Sequence, residues 1–116
     1  MITGEIEFLI SGASTLTSNV TVDGDVQLIV SGASTVELEG EANDITINAS
    51  GASNVDLSTF SVNNADVLLS GASQATINLE GILNANVSGA SHLLYIGNPT
   101  LGDIETSSGS TIEQAS

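Results

Sequence analysis

The chemistry available to this chain rests on carboxylates, because the sequence has fourteen Asp and Glu residues, one His, and no Lys, Arg or Cys. Clusters of carboxylate oxygens suit hard cations such as Ca²⁺. The candidate metal ligands are Asp23, Asp25, Glu37 and Asp56. None of them lies in a twelve-residue calcium loop or in the glycine-aspartate nonapeptide repeat of calcium-binding β-rolls. Asp23 and Asp25 flank Gly24, whereas Glu37 and Asp56 lie six residues past the first Ser of successive copies of a repeated Ser-Gly-Ala-Ser tetrapeptide, at the same outward position, where their oxygens could share Ca²⁺. We therefore expect no cofactor, and Ca²⁺ binding among these residues is the alternative interpretation.

A hydrolytic triad would have to use His92, the one histidine, which follows Ser91. A general base needs a partner that orients it, and nothing in the surrounding sequence singles one out. Lyase chemistry generally calls for a basic residue or for carboxylates assisted by a cation. We expect no catalytic residues and no enzyme activity. A polysaccharide-active enzyme, similar to a lyase or hydrolase, is the alternative, because a fold alone does not decide function.

The elements that position these side chains come from an internal repeat. The tetrapeptide Ser-Gly-Ala-Ser occurs five times, a degenerate Ser-Ser-Gly-Ser copy follows, and successive copies start 18 to 20 residues apart. The copies begin at Ser11, Ser31, Ser50, Ser70, Ser88 and Ser107. A period near twenty with strand-like flanks is typical of stacked β-coils. The sequence predicts an all-β solenoid of about six coils.

Each coil reads as strand, corner, strand and looser return. Apolar residues alternate before the motif, as in Val26, Leu28 and Val30, and again after it, as in Val36 and Leu38. Alternation indicates strands with one buried face. The motif Gly supplies backbone freedom for a sharp bend, and we expect the motif Ala to point inward and the serines to satisfy backbone groups along one edge. The structural repeat residues are Gly12, Ala13, Gly32, Ala33, Gly51, Ala52, Gly71, Ala72, Gly89 and Ala90.

Charge and hydropathy exclude several partners. With no Lys or Arg, the chain has nothing to neutralise phosphates, so nucleic acid and anionic membrane surfaces are excluded. No apolar run approaches the roughly 20 residues of a membrane span, so we expect no direct membrane insertion. The residues 1–116 are predicted to form one solenoid domain, either complete or as a segment of a longer protein. Coils without capping helices at their ends would invite end-to-end stacking.

The outward position two residues before the motif holds apolar side chains in three coils. They are Leu9, Ile29 and Leu68. Outward apolar residues at equivalent positions are candidates for contact with a partner or with a second copy of the chain. Thr15, Thr17 and Thr35 also suggest an ice-binding face. This is the weaker interpretation, because later coils place Asn54, Asp56, Gln74 and His92 at these outward positions.

The segments Asp66–Ser73 and Asn86–Pro99, the second ending in Tyr-Ile-Gly-Asn-Pro, resemble the auto-transporter adhesin head domain family, also called GIN or DUF2807. The resemblance implies a single-stranded right-handed parallel β-helix that is secreted to the periplasm or cell surface of bacteria. It also implies an adhesive or scaffolding role without catalytic residues. We therefore expect a non-enzymatic envelope module that binds protein or glycan through a solenoid face, or that associates with itself.

Overall fold

The computed structural model describes residues 2–107 and 109–114, and in these ranges it contains thirteen β-strands and no helix. The strands are β1 (Ile2–Thr3), β2 (Ile6–Ile10), β3 (Thr15–Asp23), β4 (Asp25–Val30), β5 (Thr35–Glu41), β6 (Asp44–Ala49), β7 (Asn54–Val62), β8 (Asn64–Leu69), β9 (Gln74–Leu79), β10 (Ile82–Val87), β11 (His92–Ile96), β12 (Thr100–Thr106) and β13 (Thr111–Gln114).

The strands form two parallel sheets, one on each side of a shared core. Odd-numbered strands make a seven-stranded sheet in the order β1-β3-β5-β7-β9-β11-β13, and even-numbered strands make a six-stranded sheet in the order β2-β4-β6-β8-β10-β12. Each coil contributes one strand to each sheet. The molecule is a β-solenoid of about six turns with extents of 39 × 33 × 21 Å, which confirms the predicted fold class. Its right-handed sense stays a prediction of the family resemblance.

The core is built from the alternating apolar residues of both sheets. Val26, Leu28 and Val30 of β4 are buried, and in β5 Val36 and Leu38 are buried too. Register pairing places like residues one above another, so that the inward side chains form continuous ladders along the solenoid. Each larger side chain contributes roughly 1.5–3 kcal/mol when it is fully buried. The predicted strand pattern is confirmed.

The corners differ from the sequence prediction in the residue that points inward. The motif alanines, such as Ala52, are exposed, whereas the second serine of the motif is almost completely buried in four coils. Ser53 Oγ lies 2.8 Å from the carbonyl oxygen of Ser50 in its own coil and 3.2 Å from that of Gly32 in the preceding coil. A serine hydroxyl can donate to a carbonyl oxygen inside the corner, whereas an alanine cannot. The inward orientation predicted for the alanines was therefore wrong.

The expected role of the serines as partners of corner backbone groups is confirmed. Ser34, Ser73 and Ser91 repeat the contacts of Ser53, each to the first serine of its own motif and to the glycine of the coil before. In the described part of the chain no buried side-chain nitrogen or oxygen lacks a hydrogen-bond partner. The two serines do not share one exposed edge, because in the four coils that contain Ser34, Ser53, Ser73 and Ser91 the second serine is buried.

The motif glycines stack directly on one another. Gly51 has a φ of +75°, in the left-handed region, and a Cβ built on it would lie 2.8 Å from the carbonyl oxygen of Gly32. Side-chain-bearing residues rarely adopt this conformation, and here the preceding coil also occupies the space. Gly12, in the first coil, has nearly the same φ, +73°, but a Cβ on it would meet nothing within 4 Å.

The returns are more regular than predicted. The segments 19–24 and 59–64 were expected to be loose, but they contain the ends of the nine-residue strands β3, which ends at Asp23, and β7, which ends at Val62. The drift in repeat length is absorbed by register shifts, such as the one between Leu57 and Ser61 where β7 pairs with β9. Phe60 lies within this bulge and is buried. Extra residues are thus accommodated as β-bulges, which can still place a side chain in the core.

The glycine stack yields a matched pair of substitutions. Gly12→Ala should lower the free energy of unfolding by about 1–2 kcal/mol, the cost of an L-residue in the left-handed region. Gly51→Ala should cost about 1–3 kcal/mol more, because its Cβ overlaps the Gly32 carbonyl of the preceding coil. Urea unfolding followed by circular dichroism measures both values. Equal losses for the two variants would contradict the stacking of corners.

Candidate functional site

A polar groove crosses four consecutive coils at the carboxyl ends of β3, β5, β7 and β9. We call it the four-coil groove; it has a volume of about 760 Å³ and is lined by residues 21–23, 41–43, 61–63 and 78–80. Each segment has a polar, an apolar and a polar residue in that order. The apolar residues in the middle are buried in the core and are Val22, Ala42, Val62 and Leu79. Because the middle residue points inward, its two polar neighbours point outward.

Hydroxyl and amide groups line the centre of the groove. Asn63 Nδ2 donates a hydrogen bond to Asn43 Oδ1 at 2.8 Å, which links the second and third coils. Asn78 Nδ2 donates to the carbonyl oxygen of Ser58 at 3.4 Å. These bonds fix which edge of each amide faces the groove. Thr21 and Ser61 add exposed hydroxyls at the first and third coils.

Three carboxylates complete the lining, namely Asp23, Glu41 and Glu80. Their side chains take part in no hydrogen bond or ion pair with the residues that the structure describes. Asp23 belongs to the first of the four coils and Glu80 to the fourth, so three strand spacings, about 14 Å, separate them along the solenoid. Since the sequence has no Lys or Arg, the groove presents negative charge that the chain itself hardly compensates.

Aromatic platforms are missing from the groove lining. The chain has three aromatic residues: Phe60 is buried in the core, while Phe8 and Tyr95 are half-buried and lie in other parts of the fold. Sugar rings often stack on exposed aromatic faces, and the four-coil groove offers no such face. Its chemistry is that of oxygen acceptors, amide donors and negative charge.

The four predicted metal ligands fall in three different places. Glu37 and Asp56 are register neighbours on β5 and β7, as the sequence analysis predicted, whereas Asp23 lies in the four-coil groove and Asp25 in a separate depression beside Asp44. Asp56 Oδ1 already accepts hydrogen bonds from the Ser58 backbone N–H at 3.1 Å and hydroxyl at 2.7 Å. Among the described residues, no three His, Asp or Glu side chains are grouped as a metal ion would require. A shared Ca²⁺ between Glu37 and Asp56 remains a prediction.

His92 occupies the outward row that the sequence predicted, in register with Gln74 and Thr111. Its Nε2 lies 3.9 Å from Glu113 Oε1, and both side chains are well exposed, at 40% and 58%. The neighbouring Ser91 faces the opposite way, into the corner, where its Oγ lies 2.7 Å from the carbonyl oxygen of Ser88. The Ser91 hydroxyl and the His92 ring therefore lie on opposite faces of the chain.

The predicted interface residues share one outward row on the even-numbered sheet. Leu9 pairs with Ile29, and Asn48 separates Ile29 from Leu68. Leu9 is 72% exposed and Leu68 43%, while Ile29 is half-buried. The geometry of the row is as predicted, and its role as an interface stays a prediction.

The threonine row proposed for ice binding begins with Thr15 and Thr35. It then continues through Asn54, Gln74 and His92, so it lacks a regular threonine array.

The four-coil groove does not follow from the sequence analysis, because most of its lining residues fall in the returns that are expected to be loose. The signal was nevertheless present in the sequence. The triplets Thr-Val-Asp, Glu-Ala-Asn, Ser-Val-Asn and Asn-Leu-Glu recur at the same stage of four consecutive repeats. A recurring polar-apolar-polar triplet indicates a strand with an outward polar face rather than a loop.

Fold and surface together define a repeat-built parallel β-solenoid whose exposed side chains stand in outward rows. The family model described as "Putative auto-transporter adhesin, head GIN domain" (DUF2807) matches residues 2–99, and the chain belongs to this family. The family is one of adhesin heads, which places the domain at the cell surface or outside the cell. Comparison with curated proteins and with solved structures gave no significant match. Across the described ranges, no helix is long and apolar enough to cross a membrane.

The Glu37–Asp56 pair predicts a charge effect on stability. Like charges directly opposite each other across strands are destabilising by up to about 1 kcal/mol, so Glu37→Gln should raise the free energy of unfolding by roughly 0.2–1 kcal/mol at low salt. The gain should vanish in about 1 M NaCl, where the Debye length is only about 3 Å. Urea titrations at both ionic strengths measure it.

Glu39→Gln is the matched control, because the register neighbours of Glu39 are Asn19 and Thr59. An equal gain in both variants would contradict a pairwise effect.

Calcium and magnesium should raise the unfolding temperature of the unsubstituted protein by similar amounts if they merely screen charge. A calcium-specific rise that Glu37→Gln abolishes would instead establish a shared site.

Proposed function

We propose that this chain is a non-enzymatic adhesion and scaffolding module of the cell envelope, secreted to the periplasm or cell surface. It binds a protein or glycan partner through the outward rows of the solenoid. The observation that supports this most directly is the alternation of buried and exposed side chains within each strand. Inward residues build the core, and every second residue adds a side chain to a row that crosses several coils.

Rows of this kind suit binding by many weak contacts. Parallel pairing fixes neighbouring side chains of a row about 4.8 Å apart, so a partner meets outward side chains at regular intervals along several coils. Contacts that are individually weak give a high overall affinity when several of them must break together. A rigid backbone keeps the rows in register at no further entropic cost on binding. The family of adhesin heads agrees with such a role.

Binding accounts for the arrangement of reactive groups better than catalysis does. Ser91 is directed into the corner, away from His92, and the carboxylates of the four-coil groove belong to different coils. Hydrolysis or lyase chemistry needs an acid and a base that converge on one bond. Carboxylates do pair in register at Asp25–Asp44 and Glu37–Asp56, but neither pair lies in the four-coil groove. The polysaccharide-active enzyme considered from the sequence would have to use such a pair as acid and base.

Self-association is the second mode in which the module could act. Leu9, Ile29 and Leu68 give one outward row of the even-numbered sheet an apolar character. A second copy placed against this row would cover it. Light scattering coupled to size exclusion, over a protein concentration series at low and high salt, distinguishes a monomeric binder from an oligomer. Leu9→Ser with Leu68→Ser should abolish any oligomer that uses the row.

The adhesion proposal is tested with beads that carry the purified domain. The beads are exposed to immobilised extracellular proteins and to polysaccharides, and retained beads and released reducing ends are counted together. We expect saturable retention on at least one surface and no sugar release above that of uncoated beads. Sugar release that scales with domain density would support the enzyme instead. No retention on any surface would contradict the adhesive role.

A further inference from the structure

We propose that the four-coil groove docks an extended, lysine-bearing segment of a partner protein. This inference rests on the proposed function, because it names the partner class that one face of the adhesion module would bind. The groove is a fixed concave surface of about 760 Å³, and its floor is anchored by core residues in all four coils. Its walls combine carboxylates, amides and hydroxyls.

The negative charge of the groove indicates that its occupant is positively charged. The chain has a formal net charge of −14, and neither Lys nor Arg is present to bind an anion. Asp23, Glu41 and Glu80 are groove carboxylates with no hydrogen-bonded or ionic partner among the described residues. A cleft lined by one sign of charge concentrates ligands of the opposite sign. Lysine ammonium groups supply that charge on long stems that can reach both groove ends.

The length of the groove matches an extended peptide. Asp23 and Glu80 lie three coils apart, about 14 Å along the solenoid. An extended chain rises about 3.4 Å per residue and alternates its side chains, so residues i and i+4 lie on one face about 13.6 Å apart. Two lysines with this spacing would meet Asp23 and Glu80 together. Between them, Asn43, Ser61 and Asn63 face the peptide backbone with hydrogen-bonding groups.

The lining also disfavours other polymers. A neutral glycan would lack an aromatic stacking surface, since none of the three aromatic residues lines the groove. Nucleic acids and anionic polysaccharides would meet carboxylates without a neutralising cation. A cationic amino-sugar polymer shares the charge of a lysine peptide but not its side-chain spacing, and the experiment distinguishes the two.

Fluorescence anisotropy with labelled nonapeptides tests the proposal. One peptide carries lysines at positions i and i+4 in a Ser/Thr background, and its isomer carries them at i and i+3, on opposite faces of an extended chain. The i, i+4 peptide should bind several-fold more tightly. Asp23→Asn with Glu80→Gln should weaken its binding about tenfold at low salt, since two exposed ion pairs are lost. Binding should fall as salt rises.

The matched control is Glu7→Gln with Glu105→Gln, which removes the same charge from exposed positions of the even-numbered sheet. It should change the affinity less than twofold. Thermal unfolding by circular dichroism verifies that both double variants keep their fold. A glucosamine oligomer is titrated in parallel.

The proposal would be overturned if the two double variants weakened binding equally, or if the two peptides bound with equal affinity. Either result would show that binding depends only on the overall charge of the protein. Binding of the glucosamine oligomer in place of the peptide would also overturn it and assign the groove to amino sugars. If neither ligand binds while domain-coated beads still adhere, the groove proposal falls and the adhesion proposal stands. If the beads fail as well, both proposals fall.

Discussion

The carbonyl oxygen of each corner glycine is the point on which the solenoid depends. The Gly32 oxygen accepts the Ala52 backbone N–H at 3.0 Å and lies 3.2 Å from Ser53 Oγ, both in the following coil. The same oxygen leaves no room for a Cβ on Gly51. The hydrogen bonds that this oxygen accepts and the space that it occupies thus fix how each coil is spaced and rotated relative to the one before. Parallel pairing on either side of the corner then continues in a single register.

Register at the corner sets the position of every outward row of side chains. A slip of one residue would exchange the inward and outward faces of a strand, which the buried ladders of Leu28, Ile47 and Val67 do not permit. The buried ladders therefore fix the backbone positions of the outward rows. Where strands are long, as in β3 and β7, the rows extend past the corner into the four-coil groove. Where a coil carries extra residues, bulges absorb them and the rows resume.

Much of this architecture could be predicted from the sequence, because the repeat fixes the coil and alternation fixes the buried face. The pairing of Glu37 with Asp56, the row of His92 and the row of Leu9 all follow from aligning the repeats. The orientation of the motif alanines could not be predicted, because a side chain as small as alanine fits either the inner or the outer face of a corner. The inward position goes to serine because its hydroxyl can donate to the backbone carbonyl oxygens inside the corner. The groove did not follow either, because most of its residues fall in segments where loose returns are expected, although the recurring polar-apolar-polar triplets indicate strands.

Native-state hydrogen exchange, followed by NMR, measures the corner interaction most directly. The corner alanines combine exposed side chains with backbone N–H groups bonded to the preceding glycine carbonyl, at 3.1, 3.0 and 2.8 Å for Ala33, Ala52 and Ala72. The stacked corners predict that these amides exchange about a thousandfold or more slowly than in an unstructured chain, close to the amides of the central strands. Exchange at the rate of an open loop, with the strands still protected, would show that the corners do not hold the coils in register.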